Sequence, residues 1–261
     1  MTKKIRLSIL ASALIFGASA FAAELDTATN PAYLNLQLGY SFSLPAQMDV
    51  SSSPAIGGGF WDPSPQGYDS RVGSTAIYGL GFGYYVNPLI SLELNYTDRP
   101  NYSYSKFQSQ TSSTSAKTRD FDLESQDVML NSVYHLAAIA TGLKPFINVG
   151  IGAARNTVSN FHSVSATTPG YVFSMMNNNT VTSFAAQAGV GLDFDATSRL
   201  AFKVGYQFFY GGEFKSNDYV VDDPDNLHPI PPNPAPGGTV VPSWTGIILA
   251  NEVYAGLTYL L

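Results

Sequence analysis

The sequence has no cysteine and few charged residues among its 261 positions. Without cysteine the chain can form no disulfide, no thiolate nucleophile and no cysteine-linked lipid anchor. Asp, Glu, Lys and Arg make up 12% of the residues, about half the ~25% of soluble proteins. The net charge of −6 provides no basic surface for nucleic acid. These features argue against a soluble enzyme with a charged surface and against a nucleic-acid-binding protein.

The sequence also lacks the run of ~18 or more apolar residues that a membrane-spanning helix requires. Its main apolar segment, Leu7–Phe16, follows three basic residues and precedes small residues, as in a secretory signal peptide. The segment is too short for a transmembrane anchor. We therefore predict a signal peptide over residues 1–22, cleaved after Ala22 or Ala23, and one domain over residues 23–261.

The rest of the sequence contains a repeated alternation of apolar and polar residues with a period of two, which predicts β-strands. In the first such segment Leu34, Leu36 and Leu38 alternate with Asn35 and Gln37. The pattern occurs in eight segments: Tyr33–Leu44, Ser74–Val86, Leu89–Thr97, Phe121–Leu136, Phe146–Ala154, Ser183–Asp195, Arg199–Tyr210 and Ile247–Leu261. The first half of the fourth segment breaks phase, which predicts a bulge or a rise above a membrane.

The connections between these strands alternate in length. Short links at 87–88, 137–144 and 196–198 separate long segments at 45–73, 100–120, 155–182 and 211–243. This alternation is typical of an up-and-down barrel with both chain ends on one side. Bacterial outer-membrane barrels have such short periplasmic turns and long outer loops.

The two faces of the strands distinguish a membrane barrel from a soluble one. The polar face has few charges and many glycines, which suits the narrow interior of an eight-stranded barrel. We interpret Gly79, Gly81 and Gly83 as room for tyrosines on neighbouring strands rather than as a phosphate-binding loop. The apolar face carries aromatic residues near both ends, as at the two interfaces of a bilayer. A lipocalin-like barrel or a soluble sandwich is therefore disfavoured.

The signal peptide, the eight alternating strands and the four long loops resemble the small outer-membrane barrels of Gram-negative bacteria, the OmpA-like and opacity-type porin-family proteins. The most specific part is the final strand, where Val253, Leu257, Tyr259 and Leu261 stand at alternating positions. In the family, the barrel-assembly machinery reads such a strand. The family usually ends in an aromatic residue, whereas this chain ends in Leu261.

We predict an all-β fold, an eight-stranded antiparallel up-and-down transmembrane β-barrel with four long extracellular loops and short periplasmic turns. The resemblance implies a place in the bacterial outer membrane, with outer-membrane lipid around the barrel and loops on the cell surface. Because the sequence stops at the last predicted strand, we expect no peptidoglycan-binding domain of the OmpA type. We further expect a monomer without cofactors or bound nucleic acid.

Five ionisable residues are predicted to face inward. They are Glu93, Asp127, Asp193, Lys203 and Glu252. A charge inside a narrow barrel must be paired or hydrated, because an isolated buried charge is strongly unfavourable. Two hypotheses follow: an ion-paired plug that fixes the barrel register, or a narrow water path that weakly prefers cations.

The long loops contain candidate contact residues. Phe60 and Trp61 follow three glycines in the first loop, and exposed aromatic residues on loops suit contact with a host or another cell surface. The alternative is a solvated shield over the barrel. The acidic run Asp222, Asp223 and Asp225 could hold calcium, but its spacing matches no EF-hand loop. We favour a solvated run and predict no metal site.

The function that this pattern favours is a structural or adhesin-like surface role carried by the loops. The alternative is a small narrow channel, porin-like or OmpW-like, for ions or small solutes. An enzyme is disfavoured because only His135, His162 and His228 are available as imidazole bases. Outer-membrane deacylase barrels use a His-x-Ser motif, and here Val164 occupies the serine position after His162.

Overall fold

A computed structural model of the chain describes residue 27 and residues 31–46, 49–50, 71–108, 117–165, 172–217, 219–221, 239–240 and 243–261. The predicted signal peptide lies outside these residues, so its cleavage stays a prediction. Among the described residues, no helix is long and apolar enough to cross a membrane.

The described residues form twelve β-strands. They are β1 (Ala32–Ser43), β2 (Asp49–Val50), β3 (Ser74–Asn87), β4 (Ile90–Gln108), β5 (Lys117–His135), β6 (Leu143–Ser165), β7 (Val172–Met176), β8 (Asn179–Asp195), β9 (Leu200–Lys215), β10 (Tyr219–Val221), β11 (Thr239–Val240) and β12 (Trp244–Leu260). Strands β2, β7, β10 and β11 are short extensions of the wall. The other eight are long and correspond to the eight predicted strands.

The eight long strands form a closed barrel. Each pairs antiparallel with the long strand before it and with the long strand after it. Strand β1 closes the ring by pairing with β12, from the Tyr33–Leu260 pair to the Ser43–Ala250 pair. The prediction of an eight-stranded antiparallel up-and-down barrel is confirmed.

The strands are staggered around the ring. A row of register partners that starts at Tyr84 in β3 and passes once around the barrel returns to β3 at Ser74, ten residues away. Strands in such barrels incline by ~35–45°, and eight of them leave an interior just wide enough for side chains. The inward side chains therefore fill the lumen.

The two ends of the barrel differ. The short turns at 88–89, 136–142 and 196–199 lie at one end, together with the start of β1 and the end of β12. We call this the turn end and the opposite one the loop end. Between them the outward face is an apolar belt. Exposed side chains of the belt include Leu36, Leu80, Leu94, Leu130, Ile151, Val190, Val204 and Val253.

Six of the eight long strands extend farther toward the loop end than the sequence pattern predicted, and β4 and β6 do so most. Strand β4 continues to Gln108, β5 begins at Lys117 and β6 ends at Ser165. The predicted loops at 100–120 and 155–182 were therefore wrong in extent, because much of each is strand. Beyond the belt the outward residues are mostly polar, so outward apolar residues no longer mark the strands.

The phase break predicted for β5 arises from this change of surroundings. Phe121 is buried inside the barrel, whereas Asp122 and Glu124 lie half-exposed on the outer face. The alternation of inward and outward residues in β5 thus continues while the polarity of each face reverses. Two irregularities lie nearby: the register of β4 with β5 shifts between Arg99 and Tyr102, and that of β5 with β6 shifts between Asp120 and Asp122.

Inward-facing glycines leave room for large neighbours. Gly83 pairs with Tyr33 and Gly81 pairs with Asn95. A Cβ atom on either glycine would overlap the neighbouring side chain. The interpretation of these glycines as room for tyrosines is confirmed only at Gly83, because the side chains next to Gly79 and Gly81 are Gln37 and Asn95.

Candidate functional site in the lumen

The predicted inward ionisable residues are all buried inside the barrel. They are Glu93, Asp127, Asp193, Lys203 and Glu252. The structure divides them between two groups. Toward the loop end, Asp127 and Glu252 meet Arg99, and we call these three residues the Arg99 cluster. Toward the turn end lies the Lys203 cluster, which consists of Glu93, His135, Asp193 and Lys203.

The Arg99 cluster is a fully buried set of ion pairs. The Arg99 guanidinium binds Glu252 through Nε to Oε1 at 2.6 Å and Nη2 to Oε2 at 3.0 Å, and its Nη1 binds Oδ2 of Asp127. Ser41 and Gln207 donate further hydrogen bonds to the Glu252 carboxylate, at 2.8 and 2.7 Å. The Arg99–Glu252 contact is bidentate, and most of the carboxylate oxygens in the cluster accept a hydrogen bond. A buried carboxylate requires such partners.

Arg99 was not among the predicted inward residues, because the predicted third strand stopped at Thr97. Continued by one step, the inward alternation of Glu93, Asn95 and Thr97 reaches Arg99. The charges gave a second signal. Four acids were predicted to face inward, and Lys203 was the only inward cation considered. The assumption of a single inward cation was wrong, because Arg99 is also buried inside the barrel.

The Lys203 cluster holds its charges more loosely. The Lys203 Nζ atom lies 3.9 Å from Oε2 of Glu93 and 5.0 Å from the centre of the Phe146 ring. Asn35 and Asn95 donate hydrogen bonds to Oε1 of Glu93, at 3.3 and 2.5 Å. A separation of 3.9 Å between Nζ and Oε2 suits an ion pair bridged by water better than a direct hydrogen bond.

His135 links the Lys203 cluster to the turn end. Its Nδ1 lies 3.2 Å from Oδ2 of Asp193, its Nε2 lies 3.1 Å from Oγ of Ser91, and the Tyr33 hydroxyl donates to that same Oγ at 3.0 Å. Hydroxyl, imidazole and carboxylate stand here in the order used by serine hydrolases. Ser91 is fully buried, however, and Tyr33 covers it. This grouping was not predicted from the sequence.

A small polar cavity lies within the lumen. It is lined largely by Asn and Gln side chains, and Glu93, Lys203 and Tyr254 also face it. Its volume is ≈ 10 Å³, about the minimum that holds one water molecule. Among the described residues, no group of three or more His, Asp or Glu side chains is arranged to hold a metal ion.

An aromatic layer fills the lumen beyond the Arg99 cluster. Its buried rings belong to Tyr104, Phe121, Phe161, Phe214 and Trp244. The rings of Tyr104 and Phe121 stack with their centres 4.6 Å apart, and Trp244 meets Phe161 edge-on at 5.6 Å. Phe209 connects this layer to the Arg99 cluster, because its ring lies 3.6 Å from the guanidinium carbon. The lumen is thus filled toward the loop end by packed apolar side chains.

The remaining predicted site residues lie elsewhere. The assembly-signal residues Val253, Leu257, Tyr259 and Leu261 are at the turn-end half of β12 and just after it, where Val253, Tyr259 and Leu261 are exposed on the barrel. The loop candidates fall outside the described residues; they are Phe60, Trp61, Asp222, Asp223 and Asp225. Their predicted contacts, and the question of calcium, stay predictions.

Comparison with known proteins places this geometry among outer-membrane barrels. The family model described as "Outer membrane protein beta-barrel domain" matches residues 8–227. Comparison with curated protein sequences gave no match.

Three solved structures illustrate the likeness. Neisserial surface protein A is 14% identical, with 88% of this chain and 97% of that chain covered and a TM-score of 0.46. OprG of Pseudomonas aeruginosa is 11% identical, with 89% and 98% covered and a TM-score of 0.46. The outer membrane protease OmpT of Escherichia coli is 10% identical, with 88% and 97% covered and a TM-score of 0.40.

Proposed function

The chain belongs to the outer membrane protein β-barrel domain family, and from this premise we propose that it is a structural barrel with an adhesin-like role. In this proposal the loop end faces the outside of the cell and contacts a host or another cell surface. The turn end then faces the periplasm. Outer-membrane lipid surrounds the apolar belt, and the barrel-assembly machinery reads the end of β12 during insertion.

The filled lumen is the observation that carries this proposal. The aromatic layer and the Arg99 cluster occupy the loop-end half of the interior, and the cavity toward the turn end measures only ≈ 10 Å³. A conducting pore needs a continuous path for water or ions. A lumen filled in this way favours a role for the outer surface of the barrel over a role as a conduit.

A projecting wall supports the same proposal. Strands β4, β5 and β6 continue beyond the apolar belt as a paired sheet, and we call its outer face the β4–β6 wall. Asp122 at the centre of this face accepts hydrogen bonds from Ser103 at 3.2 Å and from Asn160 at 2.8 Å. A rigid polar face that stands above the lipid provides a preorganised surface for a partner.

Attachment of cells that display the barrel tests this function. Wild type would be produced in a non-adherent Gram-negative host and compared with a wall variant, Ser103→Lys with Asn160→Lys. The matched control, Thr197→Lys with Ser198→Lys, adds the same charge to the turn between β8 and β9. We expect wild type and control to raise attachment to epithelial cells and matrix proteins several-fold, and the wall variant to lose most of that gain.

Two results would count against the proposal. If wild type reaches the surface at a verified level and gives no attachment to any cell or matrix protein, the adhesin-like role is wrong. If the wall variant attaches as well as the control, the contact does not involve the β4–β6 wall. Surface level is measured with an epitope tag placed identically in all three proteins.

A narrow channel is the second candidate, and the polar cavity is the observation that favours it. Glu93 and Lys203 face that cavity together with amide side chains, as in a water-filled path for small ions. Single-channel recording of the refolded barrel in a planar bilayer separates the two functions. Stable cation-preferring steps support the channel, whereas a silent bilayer with verified insertion supports the structural role.

A further inference from the structure

The apolar belt ends at different levels on opposite sides of the barrel. On β5 the last apolar outward residue is Val128, and the next outward residue toward the loop end is Gln126. On β12 the outward row passes Asn251, which accepts a hydrogen bond from Tyr206, and continues through Leu249 to Ile247, both of which are apolar and half-buried. The belt therefore reaches farther toward the loop end at β12 than at β5.

The stagger of the strands puts these positions on a common axial scale. A row of partners rises by ten residues per circuit of eight strands. Ser132 and Asn251 lie on one such row, four strands apart, so Asn251 is about five residues higher. Gln126 is six residues above Ser132 and Leu249 is two above Asn251. Leu249 thus lies about one residue nearer the loop end than Gln126, and yet Leu249 is apolar and Gln126 is polar.

The turn end shows an offset in the same sense. On the side formed by β3 to β6, apolar residues continue past the outward aromatic residues Tyr84 and Tyr134. They are Val86, Leu89, Leu136 and Ile139, exposed by 57%, 50%, 38% and 65%. On the opposite side, the turn between β8 and β9 consists of Ala196 followed by exposed Thr197, Ser198 and Arg199, and Leu261 after β12 is the one exposed apolar residue that continues past an outward aromatic residue among those described there. On the β3–β6 side the belt therefore lies closer to the turn end at both of its margins.

We propose that the barrel is tilted in the bilayer, with its β3–β6 side displaced toward the turn-end leaflet, and that the turn 136–142 inserts into the lipid of that leaflet. The occupant of the exposed apolar turn is lipid because its surface is continuous with the lipid-facing belt through Tyr134 and Leu136. Membrane-spanning segments adopt the inclination that keeps apolar surface in the hydrocarbon and polar groups in water.

The size of the tilt follows from the geometry of small barrels. Leu249 lies about three residues nearer the loop end than Val128, and each residue of an inclined strand rises by roughly 2.5 Å along the axis. Across a barrel of about 16 Å this offset corresponds to a tilt on the order of 20°. Polar Asp98, Gln126 and Arg155 then leave the lipid, while Leu249 stays in it.

The absence of cysteine from the chain makes the test direct. Single-cysteine variants of the full barrel would be labelled with the fluorophore NBD and refolded into phosphatidylcholine–phosphatidylglycerol vesicles. One pair, Gln126→Cys and Leu249→Cys, reports the loop-end margin. The other pair, Ser198→Cys and Ile139→Cys, reports the turn end. Quenching by iodide measures contact with water, and quenching by nitroxide lipids labelled at two depths measures contact with the bilayer.

We expect the labels at 249 and 139 to be quenched several-fold more by nitroxide lipids than their partners, and the labels at 126 and 198 to be quenched more by iodide. Equal quenching within either pair overturns the proposal, because a rigid barrel that tilts must do so at both ends. Correct folding is verified by heat-modifiable gel migration. Ala137→Cys and Thr197→Cys replace the turn-end pair if one of its variants fails to fold. The proposal does not depend on the adhesin-like function.

Discussion

Arg99 and Glu252, 153 residues apart in the sequence, are joined in the lumen by two hydrogen bonds of 2.6 and 3.0 Å. They lie on β4 and β12, which are not neighbours in the wall. The pair therefore ties two separate parts of the ring together. Because both side chains are fully buried, the arrangement depends on every partner being present.

Replacement of Arg99 by alanine would leave the carboxylates of Asp127 and Glu252 buried without their cation. We expect the free energy of unfolding of Arg99→Ala to fall by about 3–5 kcal/mol, since breaking a buried pair strands the remaining charge. Arg155→Ala is the control, because Arg155 is exposed on the outer face and its loss should change stability by less than about 0.5 kcal/mol. Urea titration of the refolded barrels in lipid vesicles measures both.

A neutral version of the same cluster separates charge from packing. In Arg99→Met combined with Asp127→Asn and Glu252→Gln, no charge is left uncompensated, so most of the stability lost in Arg99→Ala should return. If the triple variant is as unstable as Arg99→Ala, the loss comes from packing around the guanidinium. That result would remove electrostatics from the explanation.

Lys203→Ala addresses the Lys203 cluster. The variant removes the cation beside Glu93 and Asp193 and enlarges the polar cavity, so we expect a lower melting temperature, a new conductance in planar bilayers, or both. Lys203→Met keeps the volume without the charge and should conduct less than Lys203→Ala. Unchanged melting together with unchanged conductance in both variants would show that this cluster neither stabilises the barrel nor blocks it.

A methyl group at Gly83 should be incompatible with the Tyr33 ring. The Cβ of Gly83→Ala would overlap that ring, and overpacking of this kind costs about 1–3 kcal/mol. In a Tyr33→Ala background the same substitution should be nearly neutral. A double-mutant cycle measured by urea unfolding gives the coupling, and a cost of Gly83→Ala that persists without Tyr33 would contradict the proposed overlap.

The grouping of Ser91, His135 and Asp193 allows a chemical test for hydrolase activity. Because Ser91 is buried beneath Tyr33, we expect no labelling of the folded barrel by a fluorophosphonate probe. Labelling at Ser91 that disappears in His135→Ala would contradict the expectation of a protein without enzymatic activity. Peptide mass spectrometry locates the label, and heat-unfolded protein controls for non-specific reaction.

The sequence by itself determined the number of barrel strands and which face of each meets lipid. In a membrane barrel, lipid on one side and a narrow lumen on the other impose an alternation of apolar and polar residues. This alternation can be recognised in the sequence of each strand without knowing which strands pair. The alternation of Leu34, Leu36 and Leu38 with Asn35 and Gln37 is enough to orient β1. The burial of Glu93 and Lys203 followed from the same local rule.

The tertiary structure decided the partners and the extent of the strands. Asp127 and Glu252 meet Arg99 rather than Lys203, and Ser91 meets His135, because the ten-residue stagger of the barrel sets which inward residues face each other. That stagger is a property of the closed ring and has no local signal. Likewise, β4, β5 and β6 continue past the belt because they pair with one another. In that region lipid no longer imposes the apolar–polar alternation from which the other strands were predicted.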